Sequence, residues 1–333
     1  MSSNANRSEC QNISLSIVSE ITSSVLDRVD SVLVGKRREA TFLLASLWAG
    51  GHVLIEDVPG VGKTTLAKTV ARSLGLSFQR VQFTPDLVPA DITGVFIFNQ
   101  ETADFEFRPG PLMHQMILAD EINRASPKTQ SSLLEAMEER QITVDQRTFA
   151  LPRPFIVLAT QNPVEYEGTF PLPEAQMDRF ACRIRLGYPD QRQEVEMLSR
   201  APVAVSLENI EPVESLDSLT QVQAQVASVH VAEDVREYIV RLARFTREHQ
   251  EVALGASPRA CQHLMELARS LAAIQGRDYV IPDDVKEMLE PAWAHRLMLK
   301  AEAMWEGTSA GHVIEEGVRK TMVPRPSRVT ETR

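Results

Sequence analysis

Residues 56–65 read EDVPGVGKTT, which matches the pattern G-x-x-x-x-G-K-[ST] in all but one position: Asp57 stands where the first glycine belongs. The stretch follows HVLIED, an apolar run of strand type, and opens a helical run from about Thr64 to Leu74. Strand, loop and helix in that order is the context a phosphate-binding loop requires, and it commits the chain to a sheet with at least one strand ending at this loop. Gly60 and Gly62 let backbone N–H groups turn inward toward phosphate oxygens, Lys63 brings a charge to the β- and γ-phosphates, and Thr64 offers a hydroxyl to Mg²⁺. Pro59, Val61 and Thr65 complete the expected contact set. The first glycine serves loop conformation and Pro59-Gly60 supplies a tight turn in its place, so Asp57 is expected to weaken the motif little. The competing reading is a glycine-rich turn between any strand and any helix.

A phosphate loop alone hydrolyses nothing, so the next requirement is an acid at the end of another buried strand. MILADE supplies Asp120 and Glu121, of which Asp120 suits Mg²⁺ held through water and Glu121 suits a general base. By itself the pair reads equally as a solvated acidic turn. If the strand FIVLATQN lies between the other two, Asn162 at its tip points at the γ-phosphate and orients the attacking water, with Thr160 the lesser candidate. Asn before Pro163 is also ordinary turn chemistry.

Runs of strand type recur at FQRVQF, MILADE, FIVLATQN and CRIRLGYP, alternating with helical periods, so with HVLIED the expectation is an α/β core with a five-stranded parallel sheet. VFIFNQETADFEFRPG and QITVDQRTFALP read as two inserted β-hairpins. Phe96, Phe98, Phe105 and Phe107 alternate in the first; pairing across the hairpin and packing on the core are expected, and lining a pore or gripping a client is the alternative. After Pro189 strand-like runs largely disappear and helical patterns follow at about 190–200, 216–229, 232–249, 257–275 and 282–300. The expected division is a polar, disordered start (1–13), an α/β core (14–188), an α-helical lid (189–301) and a flexible, proline-containing tail without apolar period (302–333).

Composition narrows the function. The 45 acidic against 35 basic residues give a formal net charge of −10, which works against a nonspecific binder of phosphate backbones and makes nucleic acid an unexpected partner. Cys10, Cys182 and Cys261 are scattered, as are the seven histidines, so a disulfide framework or a metal centre other than Mg²⁺ is not indicated. No apolar run approaches the ~20 residues that span a bilayer, and the start lacks the order of a signal peptide, so a cytoplasmic protein is expected.

Five strings, EDVPGVGKT, ADEINRASPKTQSSLLEAMEER, LATQNP, FPLPEAQMDRF and GASPRA, together resemble the MoxR family of AAA+ ATPases, over about residues 30–300 in unbroken order. The resemblance implies a P-loop AAA+ core with a helical lid, a homo-oligomeric ring of hexameric type, ATP with Mg²⁺, and a chaperone-like role in remodelling or activating protein clients. Partners bearing a von Willebrand factor A domain are implied as well. Carried over by motif, Lys63 and Thr64 are the Walker A positions, Asp120 and Glu121 the Walker B pair, Asn162 sensor 1, Arg179 the arginine finger and Arg259 sensor 2. Ser257-Pro258 reads as a helix start, which places Arg259 in a first turn where guanidinium and helix end can both face phosphate. For each arginine the competing reading is a surface salt bridge. A nucleic-acid translocase and a nucleotide-gated scaffold with negligible turnover are the alternative functions.

Overall fold

A computed structural model describes residues 15–163, 169–200, 210–213 and 216–324. The start at 1–13, expected to be disordered, lies outside them.

The amino-terminal half runs α1 (Leu15–Val32), α2 (Arg37–Trp48), β1 (Val53–Glu56), α3 (Lys63–Ser73), β2 (Phe78–Gln82), α4 (Pro89–Thr93), β3 (Gly94–Asn99), β4 (Asp104–Pro109), β5 (Met116–Asp120), α5 (Pro127–Glu139), β6 (Gln141–Val144), β7 (Arg147–Ala150), β8 (Ile156–Gln161), α6 (Glu174–Met177) and β9 (Cys182–Ile184). The remainder runs α7 (Gln191–Arg200), α8 (Leu216–Ser228), α9 (Glu233–Glu248), β10 (Val252–Leu254), α10 (Pro258–Ile274), α11 (Pro282–Trp293), β11 (Met298–Leu299), α12 (Ala301–Trp305) and α13 (Ala310–Lys320).

Five strands form the core sheet in the order β2-β5-β8-β1-β9, and every pairing in it is parallel. β5 and β8 are buried along nearly their whole length, which is why they read as continuous apolar runs rather than alternating ones. β8 lies between β5 and β1, the placement on which the reading of Asn162 depended. The two hairpins, β3–β4 and β6–β7, pair antiparallel. They meet through aromatics: Phe107 stacks on Phe149 at 4.1 Å and Phe96 packs against both. Phe98 and Phe105 pair with each other at 5.3 Å but stay more than half exposed. The expected pairing across the hairpin holds for both ring pairs, but the expected packing on the core does not hold for Phe98 and Phe105, which face out; of the four rings Phe107 packs against the core cluster.

Three features of the carboxyl-terminal half depart from the sequence reading. The helix expected to reach Lys300 ends at Trp293, because Met298–Leu299 leaves to pair antiparallel with β10. The tail expected to be flexible contains α12 and α13. α13 is capped by Ser309, whose hydroxyl accepts from the His312 N–H, and it buries Val313 and Ile314, an apolar contact too short to show as a period in the sequence. The lid is also less separate than its composition suggests. Buried Val25 and Val29 of α1, Leu43 and Leu47 of α2, and Leu264, Leu267 and Leu271 of α10 belong to one apolar cluster that continues into the sheet through Val53 and Ile55.

His52, just before β1, fastens the amino-terminal edge of the sheet. Its Nδ1 accepts from the Val157 N–H at 3.0 Å, so Nε2 carries the proton and donates to the Met137 carbonyl at 3.2 Å. His295 likewise donates through Nε2 to the Phe180 carbonyl at 3.0 Å. Burial pushes His52 down to about 3 from an ordinary 6.5 and His295 well below it. Both rings stay neutral in the folded chain while the unfolded chain takes up protons below about pH 6.5. The stability they confer is therefore complete above that value and declines as pH falls below it, for His52 down to about 3. Urea unfolding at pH 7.5 and 5.5 is expected to show a loss of about 1.4 kcal/mol per histidine at the lower pH; equal midpoints would contradict it.

Candidate functional site

The loop from Asp57 to Gly62 leaves the carboxyl end of β1 and enters α3 through two glycines in the left-handed region, Gly60 at φ +86 and Gly62 at φ +95. A Cβ on Gly62 would also meet the Leu33 side chain at 2.8 Å. This turn leaves the first amides of α3 aimed at the loop, where they suit an anion. Lys63 Nζ lies in the same loop and donates to the Asp57 carbonyl at 2.9 Å.

The acid pair ends β5, two lanes away in the sheet. Thr160 of the intervening β8 is fully buried and organises both members: its hydroxyl donates to Asp120 Oδ1 at 2.6 Å and accepts from the Glu121 N–H at 2.9 Å. Glu121 sits at φ +56, a strained position for a non-glycine residue of the kind that clusters at functional sites. Asn162 follows β8 directly and is 7% exposed. Lys63, Asp120, Glu121 and Asn162 thus stand at the carboxyl ends of adjacent parallel strands, where α/β sheets bind ligands.

Two residues of β2 that sequence reasoning missed engage the acids. Arg80 donates through Nε and Nη2 to Asp120 Oδ2 at 3.0 and 2.6 Å. Gln82 Nε2 donates to Glu121 Oε2 at 2.8 Å, an oxygen also bonded by Arg124 at 3.1 Å. The signal was the i, i+2 spacing of Arg80 and Gln82, which puts both on one face of the strand; what it lacked was that β2 pairs with β5.

A cavity of about 650 Å³ adjoins the loop, lined by Val34, Lys36, Gly60, Gly62, Tyr188 and Leu198 among others. Its size suits a nucleotide-sized ligand, and Tyr188 and Leu198, 74% and 79% exposed, offer apolar surface for a base to cover. Asp57 holds the wall of this cavity. Only 7% exposed, it accepts from its neighbour's amide, Val58 N–H, at 3.0 Å through Oδ1 and from the Gly187 N–H at 2.7 Å through Oδ2. The residue expected merely to be tolerated ties the phosphate loop to the turn that carries Tyr188 into α7.

Arg179 and Arg259 lie elsewhere. Both pair with Glu138 of α5, Arg179 to Oε2 at 3.1 Å and Arg259 to Oε1 at 2.6 Å, and both line a second cavity with Gly50, Gly51 and His52. Those three residues precede β1, whereas the phosphate loop follows it; four strand residues separate the two by about 13 Å along the sheet. The structure therefore brings the two arginines together but not to the phosphate loop of their own chain.

The residues present fit a nucleotide with a divalent cation: Thr64 is the second residue of α3 beside the loop, and Asp120, which accepts three hydrogen bonds, retains lone-pair capacity for a water on the cation.

Comparison with known proteins agrees with this geometry. Residues 52–182 match the ATPase family associated with various cellular activities (AAA), and residues 244–317 match the AAA lid domain. The uncharacterized Bacillus subtilis protein YeaC is 50% identical over 90% of this chain and 93% of its own. Chaperone MoxR1 of Mycobacterium tuberculosis is 42% identical over 91% and 82%, and protein MoxR of Paracoccus denitrificans 33% over 81% and 86%. The crystal structure of a candidate ATPase from Cytophaga hutchinsonii superposes with a TM-score of 0.87 at 39% identity, covering 93% of this chain and 97% of that one. An MCM homologue from Methanopyrus kandleri, at 18% identity and a TM-score of 0.58 over 88% and 62%, shares the fold alone.

Asp57→Ala leaves two amides without their acceptor, and the expected loss is about 2–3 kcal/mol of unfolding free energy, with Asp57→Asn losing less. Denaturant titration of both variants checks this; an Asp57→Ala midpoint equal to that of the wild type would show the Gly187 contact to be idle.

Proposed function

The chain belongs to the MoxR family of AAA+ ATPases, and from that premise we propose that it hydrolyses ATP at sites shared between subunits of a hexameric homo-oligomeric ring, remodelling or activating a protein client in the cytoplasm. The observation that carries this reading is the separation just described. Lys63, Glu121 and Asn162 occupy one edge of the sheet, and Arg179 and Arg259 occupy the other. A chain with both halves at opposite edges completes a site only when a second copy brings its arginine edge against the first copy's phosphate loop.

In that arrangement the α3 amides and Lys63 hold the β- and γ-phosphates, and the cavity beside Tyr188 and Lys36 takes the base. Thr64 and Asp120 would hold Mg²⁺, which would supply charge neutralisation for the phosphates. Glu121, with Gln82 and Arg124 on one carboxylate oxygen, keeps the other for the attacking water and acts as general base. Asn162 orients that water. Arg179 and Arg259 leave Glu138 to meet the charge that develops on the neighbour's γ-phosphate. Arg259 thus acts across the interface rather than on its own chain's nucleotide. A client is worked upon because ATP and ADP differ in how strongly they hold the two edges together. A partner with a von Willebrand factor A domain fits the same family reading. None of the described helices is long and apolar enough to cross a membrane.

Turnover per chain is expected to rise with protein concentration as subunits assemble. Lys63→Ala should lose nucleotide binding, Glu121→Gln should bind ATP yet turn over at least ~100-fold more slowly, and Arg179→Ala should fall by about 10³. Mixing the last two should restore part of the rate. Concentration-independent turnover that Arg179→Ala leaves intact would exclude the shared site.

A further inference from the structure

The segment that carries Arg179 is held on both sides by one buried side chain from the lid. Arg296, 6% exposed and three residues past Trp293 at the end of α11, donates through Nη2 to the carbonyls of Asp178 and Phe180, at 3.1 and 2.6 Å. Those are the residues immediately before and after Arg179. Its Nε lies 3.1 Å from Asp178 Oδ1 as an ion pair, and Nη2 also meets His263 Nδ1 on α10. The Asp178 carboxylate in turn accepts from the Ser257 hydroxyl at 3.1 and 3.2 Å. Ser257 is the N-cap of α10, and its hydroxyl accepts from the Ala260 N–H at 3.0 Å. Arg259 sits in the turn so capped.

A lone arginine at a short-helix end, with carbonyls free to solvent, needs no such support. Burying a guanidinium is costly unless its charge is matched, and here the Asp178 carboxylate matches the charge while Nη2 spans the two carbonyls of the Arg179 turn and His263 of α10; Nε and Nη1 make no hydrogen bond among the described residues. Burial lowers Arg296 to about 10, which leaves it charged at neutral pH.

We propose that Arg296, through Asp178 and Ser257, is the positioning residue that fixes Arg179 and Arg259 as one rigid donor pair toward the neighbouring subunit's γ-phosphate. The proposal rests on the shared-site reading above and adds the lid to it: a movement of α10 or α11 in one subunit shifts both arginines at the next subunit's phosphate. Arg296 itself touches no nucleotide.

The test uses the full chain with Arg296→Met and, because a buried change can fail to fold, the near-isosteric Asp178→Asn. Both are expected to assemble and to bind ATP with wild-type affinity, while kcat falls at least tenfold and KM changes less than threefold. Mixed with equal Glu121→Gln, either variant should regain about a quarter of the wild-type rate, the share of interfaces pairing an intact acid with an intact arginine edge. Mixed with Arg179→Ala, neither should recover, since both lesions lie on the same edge. A kcat within twofold of wild type in both folded variants overturns the proposal, as does failure to recover with Glu121→Gln while Arg179→Ala does recover. If Arg179→Ala itself is not rescued, the shared site fails and takes this role with it. If neither variant folds, Arg296 is a folding residue and the positioning role is rejected.

Discussion

Three parallel strands, β5, β8 and β1, lie in adjacent lanes of the sheet, so that their carboxyl ends fall in one line within about 10 Å. Everything chemical on that edge depends on this adjacency. β1 delivers the phosphate loop and the amides of α3, β5 delivers Asp120 and Glu121, and β8 delivers Thr160 between them and Asn162 beyond. A different order of the same strands would leave the same motifs in the sequence without a site. β5 and β8 pair in parallel with Ala119 opposite Ala159, and that register sets a single hydroxyl, that of Thr160, against both acids.

The opposite edge is built from different forces. Arg179 and Arg259 meet on Glu138 while partly exposed, so that contact is readily exchanged with water or with a stronger anion. Behind them, Arg296 is buried and its partners Asp178 and Ser257 are half-buried, so that support exchanges less easily. A soft contact at the surface over a stiffer support suits the proposed exchange of one carboxylate for a phosphate. The continuous apolar cluster from α1 and α2 through α10 into the sheet joins the lid to the core, so the two edges of one subunit are mechanically connected.

The sequence made much of the carboxyl edge legible because its chemistry is local. Gly60, Gly62, Lys63 and Thr64 announce a loop, and an apolar run ending in Asp120-Glu121 announces a strand tip. Five strands and two hairpins followed from period and turn residues. The rest was hidden where a role depends on a partner far along the chain. Asp57 looked dispensable because its acceptor role toward Gly187 spans 130 residues. Arg80 and Gln82 were anonymous polar positions until β2 was seen beside β5. Arg259 was expected near phosphate, yet only the fold shows which edge it occupies. α13 escaped notice because Val313 and Ile314 bury against the lid without repeating.

The central claim is that the arginine edge of one chain serves the phosphate loop of the next. Its most direct test is the structure of Glu121→Gln assembled with ATP and Mg²⁺, determined by cryo-electron microscopy. Arg179 and Arg259 of one subunit are expected within hydrogen-bond distance of the γ-phosphate bound by its neighbour, released from Glu138. A nucleotide enclosed by residues of a single chain, with both arginines still on Glu138, would contradict it.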